Sequence, residues 1–197
     1  MRIHGISRRK LGTDGHGVTD LVAMASCPLS CEYCLNRDIL SEAPVRDVTP
    51  EWLLSSVMQE ACYFVATGGG VAFGGGEPLL QWKEISKFAS IRPDWMGLTV
   101  ETALQAEPDA VRELLPVVGF WLVDIKTLDP ATYELYAHGR LSVALSNLGI
   151  LSDVADRVRV RVPTIPGIKG RDAAEQEASE IRAMGFGDTE VFDYVIR

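Results

Sequence analysis

Short apolar runs alternate with longer stretches of helical periodicity along most of this chain. Six runs read as strands: LVAMAS at 21–26, VAF at 71–73, GLTV at 97–100, FWLVDIK at 120–126, RVRVRV at 157–162 and EVFDYV at 190–195. Between them, apolar residues recur at helical spacing. Thr49 followed by Pro50 supplies an N-cap and a first-turn proline, and Leu53, Leu54, Val57, Met58, Ala61 and Val65 then share one face of a predicted helix. Further helices are predicted to start near Pro78, Glu107, Asp129 and Arg171. Strand followed by helix, repeated without a long linker, predicts an α/β fold of parallel strands joined by right-handed crossovers. The period alone leaves two architectures open, a doubly wound sheet and a full or partial barrel.

The polar residues sharpen this picture. Cys27 follows the first run, Gly74, Gly75, Gly76 and Glu77 follow the second, Glu101 and Thr102 the third, and Asp124 and Lys126 end the fourth. Candidate chemical groups therefore fall at the C-terminal ends of strands, where both α/β architectures bind ligands. Strand residues two apart share a face, so Asp124 and Lys126 point together, and Arg157, Arg159 and Arg161 point opposite Val158, Val160 and Val162. With helices outside, the valines pack outward and the arginines face the lumen, where they suit a carboxylate. A solvated edge strand is the alternative. Asp124 and Lys126 likewise read either as a structural salt bridge or as a functional pair.

Composition narrows the function classes. At 197 residues and 47% hydrophobic, the chain suits one domain over 1–197. A formal charge of −8 and the absence of a lysine or arginine run argue against nucleic acid and lipid surfaces as partners. No apolar stretch approaches the roughly 18 residues that span a bilayer, and MRIHGISRRK lacks the apolar core of a signal peptide. The expected location is the cytoplasm, where thiols stay reduced. Four cysteines are too few and too clustered for a disulfide framework. Cys62, alone on the helix that starts at Thr49, reads as a small buried hydrophobe. Cys27, Cys31 and Cys34 form a CxxxCxxC run in CPLSCEYC. Three thiolates can hold three irons of a 4Fe-4S cube and leave the fourth open, whereas electron-transfer clusters normally use four cysteines. A zinc knuckle or buried thiols are the alternatives, although a structural zinc site closes with a fourth Cys or His, and none follows Cys34 at short spacing.

Taken in order, CPLSCEYCLNRD, GVAFGGGEPLLQ, WLVDIK and RVPTIPG, with GTDGHG ahead of the first run, resemble the radical S-adenosylmethionine superfamily. Within it they resemble the activating enzymes of glycyl-radical enzymes. The resemblance implies a partial (β/α)6 barrel of parallel strands, a 4Fe-4S cluster on Cys27, Cys31 and Cys34, and S-adenosylmethionine on the open iron. Reductive cleavage to a 5'-deoxyadenosyl radical would follow, then hydrogen abstraction from a glycine of a partner glycyl-radical enzyme. A flavodoxin- or ferredoxin-type donor would supply the electron.

On the same footing, Gly74 to Gly76 let backbone approach the ligand, Glu77 orients its ammonium group, and Tyr33 lies near the adenine. Arg161 and Asn147 bind carboxylate and ribose, and Asp124 and Lys126 act at the catalytic centre. Glu101, Thr102 and Asp124 stand where the activases surround a monovalent cation, with Glu101 in place of the usual aspartate. Leu35 replaces the histidine after the third cysteine, and His16 stands where proline is usual. VFDYVIR carries no histidine-bearing turn, so adenine binding is expected to be completed differently. Two other readings compete: a radical enzyme acting on a peptide or small metabolite, and a non-catalytic iron-sulfur or zinc module.

Overall fold

The computed structural model describes residues 1–194. Strands β1 (Arg2–Leu11), β2 (Val18–Met24), β3 (Arg46–Asp47), β4 (Gly70–Gly74), β5 (Gly97–Thr102), β6 (Phe120–Asp124), β7 (Val158–Thr164) and β8 (Thr189–Asp193) form one sheet in the order β3-β1-β2-β4-β5-β6-β7-β8. From β2 to β8 the neighbours follow chain order and every pairing is parallel. A doubly wound sheet reverses its order at a switch point. This one does not, so right-handed crossovers place the helices on one side and the sheet curls into a partial, unclosed barrel. The predicted parallel strands are all present, Val195 of the last run lying outside the described residues.

The helices are α1 (Arg37–Glu42), α2 (Pro50–Val57), α3 (Ala61–Thr67), α4 (Trp82–Ile91), α5 (Pro108–Leu114), α6 (Pro130–Ala137), α7 (Leu141–Ile150) and α8 (Arg171–Ala183). Their packing on the sheet makes the core. Register places Phe73, Val100, Trp121 and Val158 side by side on the helix-covered face, all buried. The opposite face carries Leu122, Asp124 and Arg161, with Asp124 directly across from Arg161. The valines of β7 are buried and its arginines point inward, as their alternation predicts. At the N-terminal end of the lumen, the 12–17 loop lays the His16 ring 4.3 Å from that of Phe120. The barrel is therefore filled below and open above.

Two features depart from expectation. The helix starting at Pro50 is interrupted by a 3₁₀ turn, Met58–Glu60, before α3. Three residues at 120° rather than 100° advance the phase by about 60°. Glu60 and Phe64 consequently face inward in place of Ala61 and Val65, and Val65 and Cys62 are exposed. Cys62 is thus corrected from a buried hydrophobe to a surface thiol. The second departure is β1, which precedes the 12–17 loop and pairs antiparallel with β2. Its RIHGISRRKL sequence carries four Arg and Lys residues and no apolar run, because the two-residue β3 pairs only with Arg2 and Ile3 and leaves the rest of β1 as an open, partly exposed edge that needs none.

Candidate functional site

The loop after β2 carries the cysteines, and backbone contacts fix it. Ser30 N donates to Ala137 O at 3.1 Å and Glu32 N to Tyr136 O at 3.2 Å, tying it to the end of α6. Arg37 reaches back from α1 to the carbonyls of Cys31 (2.9 Å) and Glu32 (2.6 Å). On the other side, Glu77 N donates to Ser26 O at 2.7 Å. The glycines next to Glu77 are needed for this approach. Gly75 adopts φ +80°, and a Cβ on Gly76 would collide with the Ser26 carbonyl oxygen.

Cys27, Cys31 and Cys34 line one cavity of about 170 Å³ together with Gly75, Gly76, Glu77, Glu101, Thr102, Asp124, Lys126 and Arg161. All three thiols are free. Burial pushes the Cys27 thiol up to about 11 and that of Cys31 upward as well. Such thiols stay protonated until something positive arrives to favour the thiolate. The described residues lining the cavity include these three thiols and no fourth Cys or His, a donor set that suits a 4Fe-4S cluster with one open iron better than a structural zinc ion.

The opposite wall is a chain of alternating charges. Arg161 donates from Nη2 to Glu101 Oε1 and from Nε to Asp124 Oδ1 at 2.7 Å, while Lys126 Nζ lies 2.9 Å from Asp124 Oδ2. Burial pushes the Asp124 carboxyl up, but the Lys126 ammonium and Arg161 guanidinium outweigh it and hold the group at about 2. Burial also works against Lys126, yet Asp124, foremost among its neighbours, keeps the ammonium well above its usual value. Glu101 goes the other way: burial raises its carboxyl despite Arg161. The wall thus presents two firmly held cations around one firmly ionised carboxylate.

Glu77 is buried and accepts hydrogen bonds from Thr102 Oγ1 (2.6 Å), Ala103 N (3.0 Å) and Leu79 N (3.2 Å). It clasps the glycine loop to the end of β5 and caps the following 3₁₀ turn. Burial raises its carboxyl against those donors.

Three of the residues singled out in the sequence lie outside this cavity lining. Gly74 ends β4 and Tyr33 packs 6.2 Å from the Tyr136 ring. Asn147, on α7, donates to Leu104 O (2.9 Å) and Ala106 O (2.8 Å) and lines a separate cavity of about 680 Å³. Conversely, Phe192 and Tyr194 line the cysteine cavity and were not singled out. Tyr194 Oη is 3.3 Å from Lys126 Nζ, and the Phe192 ring centroid is 6.0 Å from the Arg161 guanidinium carbon. Their alternation in EVFDYV puts both on one face, the signal by which they were findable.

Comparison with known proteins adds the family. Residues 21–178 match the Radical SAM superfamily. The chain belongs to it. This radical SAM enzyme is 32% identical over 175 residues to the pyruvate formate-lyase-activating enzyme of Staphylococcus aureus, covering 83% of this chain and 69% of that one. Among solved structures, it superposes on Streptococcus suis SuiB bound to S-adenosylmethionine with a TM-score of 0.65 at 16% identity, covering 88% of this chain and 39% of SuiB. It also superposes on a domain of the pyruvate-formate lyase-activating enzyme from Bacteroides vulgatus, with a TM-score of 0.50 at 19% identity, over 63% of this chain and 99% of that one. Identities this low speak for the fold. Superfamily membership implies a 4Fe-4S cluster and S-adenosylmethionine, and the three-thiol donor set beside a cationic wall fits both.

Proposed function

We propose that this enzyme abstracts a hydrogen atom from a glycine Cα of a partner glycyl-radical enzyme, leaving a glycyl radical. The observation that carries the reading is the 32% identity to pyruvate formate-lyase-activating enzymes across 83% of the chain. In it, residues 1–197 act as one domain in the cytoplasm, supplied by a flavodoxin- or ferredoxin-type donor. Cys27, Cys31 and Cys34 hold the 4Fe-4S cluster. When bound, the cluster supplies the electron that cleaves S-adenosylmethionine to a 5'-deoxyadenosyl radical.

The chain's own residues do the rest. Gly75 and Gly76 bring backbone against the cofactor, and Glu77, already aligned by Thr102 and Ala103, is the acceptor for its ammonium group. Arg161 and Lys126 provide the cations for its carboxylate, and Asp124 fixes both in place. Asp124 and Arg161 sit on strands, while Glu77 and Lys126 lie just past strand ends and are held by hydrogen bonds, so these contacts require little rearrangement when charge develops. In the same reading Tyr33 lies near the adenine and Asn147 serves the ribose, although Asn147 lines the neighbouring cavity and its amide nitrogen is spent on Leu104 O and Ala106 O. A monovalent cation beside Glu101, Thr102 and Asp124 belongs to the same reading. It would compete with Arg161 for Glu101, and equal rates in sodium, potassium and tetramethylammonium salts would remove it.

The test is the electron paramagnetic resonance spectrum of the anaerobically reconstituted, reduced protein, with and without S-adenosylmethionine. A changed cluster signal followed by an organic radical on a glycyl-radical enzyme is the expected result. A changed signal with radical chemistry only on peptides or metabolites would redirect the substrate assignment. An unresponsive cluster would favour a non-catalytic module.

A further inference from the structure

The segment that carries Lys126 is held by another ion pair, largely shielded from solvent. Lys169 follows the loop after β7 and Glu177 sits on α8, with Lys169 Nζ 2.6 Å from Glu177 Oε2. The same ammonium donates to the backbone carbonyl of Lys126 at 2.7 Å. The other Glu177 oxygen accepts from Thr127 Oγ1 at 2.6 Å and from Leu128 N at 2.9 Å. Three consecutive residues at the end of β6 are therefore gripped by two side chains from elements later in the chain. Lys169 is itself held: its amide donates to Ile165 O at 2.7 Å and its carbonyl accepts from Ile165 N at 2.8 Å, closing a tight loop around Gly167.

An ion pair with a buried ammonium is an expensive way to fill space. Apolar residues of similar volume would serve packing as well or better. The hydrogen bonds here go to backbone and to Thr127, and all of them converge on the segment that presents Lys126. Ladder bonds of β6 end at Asp124, and Ile125 N donates to Arg161 O at 3.1 Å. Beyond that point, among the described residues, no strand partner holds residues 126–128, and the clamp takes over. We propose that Lys169 and Glu177 are positioning residues that fix the backbone of Lys126 to Leu128, and so set where the Lys126 ammonium stands in the cavity. The consequence for S-adenosylmethionine rests on the function proposed above; the effect on Lys126 does not.

The double variant Lys169→Met with Glu177→Met removes every clamp hydrogen bond without leaving a lone buried charge. Arg8→Met with Asp20→Asn, at an ion pair between β1 and β2 towards the other edge of the sheet, is the control for lost stability. The first readout uses cluster-free protein carrying nitrogen-15 lysine, in which the Lys126 side-chain signal is assigned by Lys126→Arg. That signal is expected to shift or broaden in the clamp variant and to stay in place in the control. In the reconstituted protein, iron content should be unchanged while the S-adenosylmethionine concentration giving half the cluster spectral change rises about tenfold, the scale of a sub-ångström misplacement. An unmoved Lys126 signal, or equal movement in both double variants, overturns the inference. A moved signal with an unchanged midpoint overturns the link to cofactor binding. If the unmodified protein shows no response to S-adenosylmethionine, the proposed function falls, while the lysine spectrum still decides the clamp.

Discussion

Asp20 and Asp124 are carboxylates on parallel strands, the first buried and the second half-buried; both face arginine, and their acidities are driven in opposite directions. Asp20, on the helix-covered face of β2, meets Arg8 at 3.2 Å and accepts from Arg9 N at 2.9 Å, with Glu60 also within the cluster. Burial raises it, and the backbone bond and Arg8 do not overcome that. Asp124 meets two cations at 2.7 and 2.9 Å and is held at about 2. What separates them is the charge of the immediate shell. In the first cluster one side-chain cation, Arg8, reaches a single Asp20 oxygen at 3.2 Å, the other oxygen meets only the Arg9 amide, and the cluster lies beneath helices. In the second, Asp124 has a cation on each oxygen, Arg161 being shared with Glu101, and the whole chain of charges opens onto the cysteine cavity. A buried ion network alone says little about function; its place at the C-terminal strand ends, facing free thiols, says much more.

The largest way to break the comparison is at the thiols. Cys31→Ala should abolish the reconstituted cluster, read as lost iron and lost spectral response, while the thermal unfolding of the Asp20 side of the molecule stays close to that of the unmodified apoprotein. Retention of iron would refute the ligand assignment. Next comes Lys126→Ala, which should keep the iron and lower S-adenosylmethionine cleavage by about 100-fold, the scale of losing one preorganised charge contact. An unchanged rate would make the Asp124 pair a structural salt bridge.

Asn substitutions compare the two carboxylates directly. Asp124→Asn leaves Lys126 and Arg161 without their shared partner and should cost about 3 kcal/mol at neutral pH; Asp20→Asn should cost much less. The pH dependences should also have opposite signs. Asp124 is depressed in the folded state, so its contribution is present above its unfolded value near 3.9 and is lost as pH falls toward about 2. Asp20 is raised, so its favourable contribution is present below that unfolded value and is lost as pH rises through the folded one. Urea unfolding at several pH values between about 2 and 7 reads both; parallel curves for the two variants would contradict the assignment. The smallest effect belongs to Cys62→Ser. An exposed thiol away from the cavity should change stability by no more than about 0.5 kcal/mol and leave iron content alone.

Much of this site was legible before any coordinates. Cys27, Glu77, Glu101 and Asp124 each follow or end an apolar run, and parallel connectivity sends all such positions to one end of the sheet. Inward arginines on β7 followed from strict alternation with valine. What escaped was whatever lacks a local signature. β1 joins the sheet through hydrogen bonds that its charged sequence does not advertise. Helix α7, with apolar residues on most sides, has little periodicity to read. The break between α2 and α3 arises because Glu60 is turned toward Arg8 and Arg9, partners some fifty residues away.

Spacing along the chain was enough to read the six parallel strands, the three-thiol motif and the end of the sheet at which the polar groups collect. Only the tertiary structure decided that Arg161 bridges Glu101 and Asp124, that Asn147 turns to a different cavity, and that Lys169 and Glu177 grip the segment after Asp124. Those contacts join residues tens of positions apart. Their partners are chosen by the curl of the sheet and by how much water each charge loses there, and neither is written in any local stretch of sequence.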